Sequence, residues 1–410
     1  MTDLAPGPLA DVKVLDFTWA LAGPYGSMIL TDLGAEVIKI EPAGIDEPQR
    51  GPGPFVDGFS TYFFSVNRGK RSLTLDLKSD EGREIVYRLV EQVDVLTENF
   101  SPGTMDRLGL GYDELAARNP RLIYASTSGF GHSGPYKNRG AVDVIIQGMG
   151  GLMSITGHPG GPLTRAGYSI GDMAGGMYTA IGVLAALHER QASGLGQRVD
   201  VAMLDAQIAL LENAIVRHTA TGEVPGPIGT RHPLVTPFQA FTTSDGQIVL
   251  AGVKDWALFC ARIDRDDLID DPRFQENADR TEHHAELEPI LIDQFAQRST
   301  TDWLEALSEV CLIGPLNTIP EVVRDPQIAA REMVVELPHP LDGAPLSVSN
   351  SPLKLSRTPA GARGRASRSG EHSLDILRSM LDMTEAEVDD LVEQGVTSLD
   401  ARNDDLGKNS

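Results

Sequence analysis

Val12-Lys13-Val14-Leu15-Asp16-Phe17, Ala22-Gly23-Pro24 and Glu36-Val37-Ile38-Lys39-Ile40 decide the fold. The first run is short and apolar, as a strand is. Ala22-Gly23-Pro24 opens a helical segment that closes near Gly34, and Glu36 to Ile40 reads as a second strand. Strand, helix and strand in about 30 residues is a βαβ unit, which implies parallel pairing. Working outward, Ser72 to Lys78 reads as a strand, and Ser79-Asp80 caps a helix to Glu91. Val93 to Leu96 and Arg121 to Ser126 read as further strands, with a short helix at Tyr112 to Arg118 between them. The first two hundred residues therefore read as an open α/β domain.

Four prolines and three glycines between Thr221 and Pro237 read as a linker. Beyond it, Phe241 to Thr243, the turn Ser244-Asp245-Gly246 and Ile248 to Ala251 make a hairpin, followed by helical segments to about Glu309. A second Pro-rich stretch, Glu336 to Pro352, leads to a loop at Thr358 to Gly370 and a charged C-terminal helix starting near Thr384. The expected division is a large domain of residues 1–220 and 353–410, linker regions 221–237 and 336–352, and a small α+β domain of residues 238–335.

A chain of 410 residues exceeds what one core usually supports. Its net charge of −23 argues against nucleic acid or an anionic membrane as main partner. The apolar stretch Met173 to Leu187 is shorter than the ~20 residues a bilayer span needs, so it reads as a buried helix. Met1 to Leu9 carries no secretory pattern, and the two cysteines, Cys260 and Cys311, form no metal-binding cluster. The expectation is a cytoplasmic protein with no metal.

Asp172 sits in Gly171-Asp172-Met173-Ala174-Gly175-Gly176, at the start of that apolar helix. The helix dipole favours a charged carboxylate there, and small neighbours let a substrate approach. Those are the needs of a nucleophilic carboxylate; an ordinary N-cap is the reading that local sequence alone favours. Three sets of cations surround it in the α/β pattern: Arg68, Lys70 and Arg71 ahead of a strand, Arg107 beyond Asn99-Phe100, and Lys137 after the Arg121 to Ser126 strand. Loops after parallel strands gather where ligands bind, so these cations suggest a polyphosphate ligand. Each set taken singly reads as surface charge.

Further segments carry a resemblance. Leu33-Gly34-Ala35-Glu36-Val37-Ile38-Lys39-Ile40-Glu41, Asn67-Arg68-Gly69-Lys70-Arg71-Ser72, Glu98-Asn99-Phe100, Gly171-Asp172, Gly194 to Val201, Asp271-Pro272-Arg273-Phe274 and Gly370-Glu371-His372 resemble the class III CoA-transferase family (CaiB/BaiF type), in order across roughly Leu9 to Val396. The resemblance implies a Rossmann-like large domain plus a smaller α+β domain, in a ring-shaped chain that interlocks with a second copy as a homodimer. It implies acyl-CoA and a small carboxylic acid as substrates, with coenzyme A never permanently bound. Asp172 matches the family's catalytic carboxylate, which forms an aspartyl mixed anhydride and then an aspartyl-CoA thioester. Lys70, Arg71, Asn99, Phe100, Arg107 and Lys137 match its CoA contacts.

Two departures bear on the substrate. The formate-type subgroup has a glycine run where Gly226 to His232 has none, and a glutamine where Leu21 stands, which points away from oxalate and formate. Arg165, seven residues before Asp172, is a candidate for the second carboxylate of a dicarboxylate such as succinate. α-Methylacyl-CoA racemases of the same fold are an alternative, but their Gly-His-Asp reads Ala141-Val142-Asp143 here, without the second base that racemisation needs. A non-catalytic CoA-binding subunit of a two-chain transferase is another, against which Asp172 is retained. Gly129-Phe130-Gly131-His132-Ser133-Gly134 matches a dinucleotide fingerprint, yet Pro135-Tyr136 stands where its helix would begin.

Overall fold

The computed structural model describes residues 5–44, 50–51 and 53–400. The first four residues of the N-terminal stretch read for a signal, and the last ten of the expected large domain, lie outside them. The described chain divides into two compact units: residues 1–152, 166–215 and 329–410, and residues 153–165 and 216–328.

The first unit is built on six parallel strands: β1 (Lys13–Asp16), β2 (Glu36–Glu41), β3 (Arg71–Thr74), β4 (Val95–Glu98), β5 (Ile123–Ser128) and β6 (Arg198–Ala202). Their order across the sheet is 3-2-1-4-5-6. This is the doubly wound order, in which the chain moves outward from β1 in one direction and then returns to its other side. Apolar β1, β2 and β4 residues, including Val14, Leu15, Ile38 and Leu96, are buried, as parallel strands covered on both faces must be.

Helices α1 (Ala22–Asp32), α2 (Thr61–Asn67), α3 (Asp80–Val90), α4 (Thr104–Arg107), α5 (Tyr112–Arg118), α6 (Asp143–Met149), α7 (Ile170–Ser193) and α8 (Met203–Ala209) surround this sheet. Ser79 caps α3 by accepting from the Gly82 amide at 3.0 Å, where the sequence places the cap. The strand ends shift: β4 and β5 run two residues beyond the apolar stretches read as strands. Thr97, Glu98, Ser126, Thr127 and Ser128 are polar but buried, and hydropathy alone does not mark such positions.

Helix α7 is 24 residues long, against the 15-residue apolar stretch of the sequence reading. By length and composition it is able to cross a membrane. Its Ala174, Ala180, Val183 and Ala186 are buried in the unit, with Ala180, Val183 and Ala186 in the core beneath β1 and β4. It meets α1 through glycines. A methyl on Gly176 would stand 2.6 Å from the Ala22 carbonyl oxygen and 3.0 Å from the Gly26 nitrogen, so only glycine permits this approach.

The C-terminal segment closes the same unit. Helices Ser373–Leu381 and Glu385–Glu393 bury Ile376, Leu377 and Val388 against Leu73 and Ile85. Thr384 forms a capping box with Glu387, as its position predicts, whereas the helix before it was not anticipated. Residues 336–352, expected as a linker, hold most of a hairpin, Val334–Leu337 with Leu346–Ser349. Its Leu337 and Val348 pack on Phe59, Phe63 and Phe64; apolar burial outweighs the prolines that suggested a linker.

The second unit has a three-stranded antiparallel sheet of β7 (Gln239–Thr242), β8 (Gln247–Ala251) and β9 (Leu312–Pro315), with β8 central. The hairpin is the expected one. Phe241, Ile248, Phe259, Phe295 and Trp303 form its core, and the Trp303 indole donates to the Phe295 carbonyl at 2.8 Å.

Candidate active site

In the 3-2-1-4-5-6 order the sheet reverses direction between β1 and β4. The loops leaving those two strands diverge to opposite faces and open a crevice at their carboxyl ends. A cavity of about 350 Å³ lies there, lined by the loop after β1 (Trp19, Leu21), the loop after β4 (Asn99, Phe100), the end of β5 and the first turn of α7.

The loop after β1 is held from below by a buried charge. Asp16 ends the strand, and its carboxylate accepts hydrogen bonds from the Thr18 amide at 3.0 Å, Ser27 Oγ at 2.8 Å, Thr97 Oγ1 at 2.9 Å and Lys70 Nζ at 2.9 Å. Burial alone would raise its pKa, but Lys70, Lys39 and the Thr18 hydroxyl outweigh it and hold it at about 2. From the side, the Asn99 amide group clamps Trp19: Oδ1 accepts from its N–H at 2.8 Å and Nδ2 donates to its C=O at 2.7 Å. Between these ties Ala20 adopts φ 59°, a left-handed conformation uncommon for a side-chain-bearing residue.

Asp172 occupies the third position of α7 and faces the cavity. It is not the N-cap. That place belongs to Ser169, whose side chain makes no cap, and the capping bond comes from another helix: Asp143 Oδ1 accepts from the Gly171 amide at 2.9 Å. Gln147 donates to the other Asp143 oxygen at 2.7 Å and accepts from the Ala166 amide at 2.9 Å. Asp143, at the start of α6, therefore sets the entry of α7. Among the described residues, no hydrogen bond from the chain reaches the Asp172 carboxylate. Burial pushes its pKa up to about 7, and the charge of Asp143 acts in the same direction. The sequence reading expects the helix end to favour the charged form; desolvation and a like charge work against it here. Tyr62 shares the cavity, its phenol raised first by burial and then by Asp172.

The other sequence-predicted residues separate. Asn99, Phe100 and Leu21 line the cavity with Asp172. Lys70 does not. Its buried ammonium donates to Asp16, to the Pro24 carbonyl at 3.1 Å, to Ser27 Oγ at 2.8 Å and to Asn67 Oδ1 at 2.9 Å, which is an enclosed structural arrangement. Arg71, the first residue of β3, is paired with Glu36 and Asp375. Both cations, for which the resemblance implies contacts to coenzyme A, are thus already paired with carboxylates of the chain. Arg107 and Lys137 are exposed and line no part of this cavity. Arg165 is an exposed residue of the second unit.

Sequence reasoning missed Asp16, Tyr62, Asp143 and Arg139. Arg139, two residues past Lys137, lines the cavity. In the sequence Asp143 stands out only by the histidine missing before it; Val142, in that histidine's place, is a 62% exposed aliphatic wall of the cavity. The histidine of the glycine-rich loop, His132, lies instead in a separate small cleft, 3.7 Å from Glu98. No helix follows that loop before Asp143, so the dinucleotide fingerprint lacks its phosphate-binding element.

The model of CoA-transferase family III matches residues 9–373. The chain is 43% identical over 344 residues to an acetyl-CoA:oxalate CoA-transferase of Acetobacter aceti, covering 82% of this chain and 88% of that one. It is 38% identical to a succinyl-CoA:mesaconate CoA-transferase of Haloarcula hispanica, covering 90% and 96%. A crystal structure of a CaiB/BaiF family protein from Brucella suis superposes with a TM-score of 0.84 at 35% identity, covering 92% of this chain and all of that one.

Proposed function

The chain belongs to CoA-transferase family III, and on that premise we propose that it exchanges coenzyme A between carboxylic acids through covalent intermediates on Asp172. One observation carries this: a carboxylate without hydrogen bonds from the chain stands in a largely apolar cavity at the sheet's switch point. Poor solvation makes such a carboxylate a stronger nucleophile once ionised, and a sheltered cavity protects an anhydride from water.

Asp172 attacks the thioester carbonyl, the C–S bond breaks, and CoA leaves as thiolate from an aspartyl mixed anhydride. The thiolate attacks the aspartyl carbonyl, giving an aspartyl-CoA thioester and releasing the donor acid. The acceptor carboxylate then attacks that thioester, expelling thiolate and forming a second anhydride. Thiolate attack on the acceptor's acyl carbon yields the new acyl-CoA and frees Asp172. No proton is transferred, so the cavity needs no acid–base pair, in keeping with Val142 in the racemase histidine's place.

In this reading Phe100 and the Trp19–Asn99 ridge border the thioester end of the ligand, while Arg107 and Lys137 meet its phosphates outside the cavity. The acids are short dicarboxylates, succinate among them; the relatives are named for oxalate, succinyl-CoA and mesaconate, and one of them also for acetyl-CoA. The homodimer, interlocked as the resemblance implies, would cover apolar side chains such as Ile181, which is 56% exposed on α7.

The test is intact-protein mass spectrometry after incubation with acetyl-CoA, succinyl-CoA and butyryl-CoA, on the wild type and on Asp172→Ala. An acyl or CoA adduct that maps to Asp172 and is absent from the variant is expected. Adducts on both proteins, or α-proton exchange with no adduct, would overturn the proposal.

A further inference from the structure

Resting on the CoA-transfer reading, we infer that Arg139 is the specificity residue that receives the distal carboxylate of the acid substrate. The guanidinium lines the same cavity as Asp172. It lies over two aromatic rings, 4.8 Å from the Tyr136 centroid and 5.6 Å from that of Phe130, and the two rings meet edge to face at 5.7 Å. Cation–π contact with aromatic rings helps hold a guanidinium in place without using its N–H groups. Among the described residues, no carboxylate pairs with Arg139 and no acceptor takes a hydrogen bond from its side chain. This sets it apart from Arg50, Arg68, Arg71, Arg190 and Arg368, which are all paired with carboxylates.

An oriented fork of unused donors is what bidentate carboxylate recognition requires. The rest of the wall is mainly apolar, with Leu21, Ala22, Ala141, Val142 and Met203. A short dicarboxylate fits this division, with its reacting carboxylate at Asp172, its methylenes on the aliphatic wall and its far carboxylate on Arg139. The CoA pyrophosphate is the other anion to consider. It is held away from the thioester by the whole pantetheine arm, and a cavity of about 350 Å³ that contains the nucleophile has no room for both ends. Arg139 thus replaces Arg165 as the candidate, because it shares a cavity with Asp172 within one unit.

The experiment compares wild type, Arg139→Gln and Arg139→Lys as acceptor-dependent transferases, pairing succinate with butyrate and glutarate with valerate. Losing a bidentate charged contact should lower kcat/KM for the dicarboxylates by ~10- to 100-fold in Arg139→Gln, with lysine intermediate. The monocarboxylates and the KM for acetyl-CoA, used as the donor, should stay within about twofold. A uniform loss across both classes would overturn the assignment, as would a raised acyl-CoA KM alone or a wild type indifferent to the second carboxylate. Adduct formation on Asp172 from butyryl-CoA, measured on Arg139→Gln, separates the two levels: its presence keeps the CoA-transfer reading even if the Arg139 assignment fails.

Discussion

Replacing Lys70 with methionine tests whether this residue is structural or a ligand contact. The methionine retains most of the volume and removes the ammonium from four buried acceptors, at 2.8 to 3.1 Å. A fall of the Asp16 pKa from 3.8 to about 2 corresponds to a net favourable interaction on the order of 2–3 kcal/mol. Leaving one member of a buried ion pair behind costs more, about 3–5 kcal/mol. At ~2–4 °C per kcal/mol for a domain of this size, the melting temperature should fall on the order of 10 °C. The pH dependence has a definite sign. In the wild type the depressed Asp16 pKa supplies stability that is present above 3.8 and lost as pH falls through about 2. Without Lys70, burial raises that pKa, and protonation relieves the buried charge, so the gap from the wild type narrows as pH falls from 7 towards 4. Scanning calorimetry across that range, with Asp16→Asn/Lys70→Met recovering part of the loss, is the assay. A variant that melts within about 2 °C of the wild type and has a raised KM for acyl-CoA would refute the reasoning and restore Lys70 as a phosphate contact.

Two further perturbations probe Asp172. Asp143→Asn keeps an acceptor for the Gly171 amide and removes a neighbouring charge, so the rise of adduct formation with pH should move below the wild-type midpoint near 7 while burial still holds it above 3.8. Asp143→Ala should in addition cost about 1 kcal/mol for the lost cap. An adduct–pH profile that does not move in Asp143→Asn would show the charge to be irrelevant. Gly176→Ala puts a methyl 2.6 Å from the Ala22 carbonyl oxygen. It should cost ~1–3 kcal/mol despite alanine's better helix propensity and slow adduct formation by displacing the first turn of α7; equal rates and melting temperatures would show that the helix contact has slack.

How much was legible depended on how far the information was local. Alternation of Val12–Phe17, a glycine-marked helix and Glu36–Ile40 is enough for a parallel α/β sheet, because apolar strand length and helix starts are properties of neighbouring residues. Asp172 was legible for the same reason, standing at the head of a small-residue helix. The ends of β4 and β5 were not, since Thr97, Glu98, Thr127 and Ser128 are polar residues buried by parts of the chain distant in sequence. Nor was β6 read as a strand, its burial alternating along Arg198–Ala202 at the edge of the sheet.

The sequence by itself determined the parallel sheet, the helix caps at Ser79 and Thr384, and the place of one carboxylate, Asp172, in the first turn of a helix. Tertiary structure alone decided which cations are paired with carboxylates of the chain. Lys70, Arg71, Lys137 and Arg139 are indistinguishable as positive charges in a string of letters. Folding places Asp16 against the first and Glu36 and Asp375 against the second, leaves the third exposed outside the cavity, and sets the fourth, exposed as well, at the cavity wall beside the rings of Tyr136 and Phe130. The reason is physical: a charge's availability depends on the opposite charges and solvent within a few ångströms, and those neighbours come from residues distant in sequence.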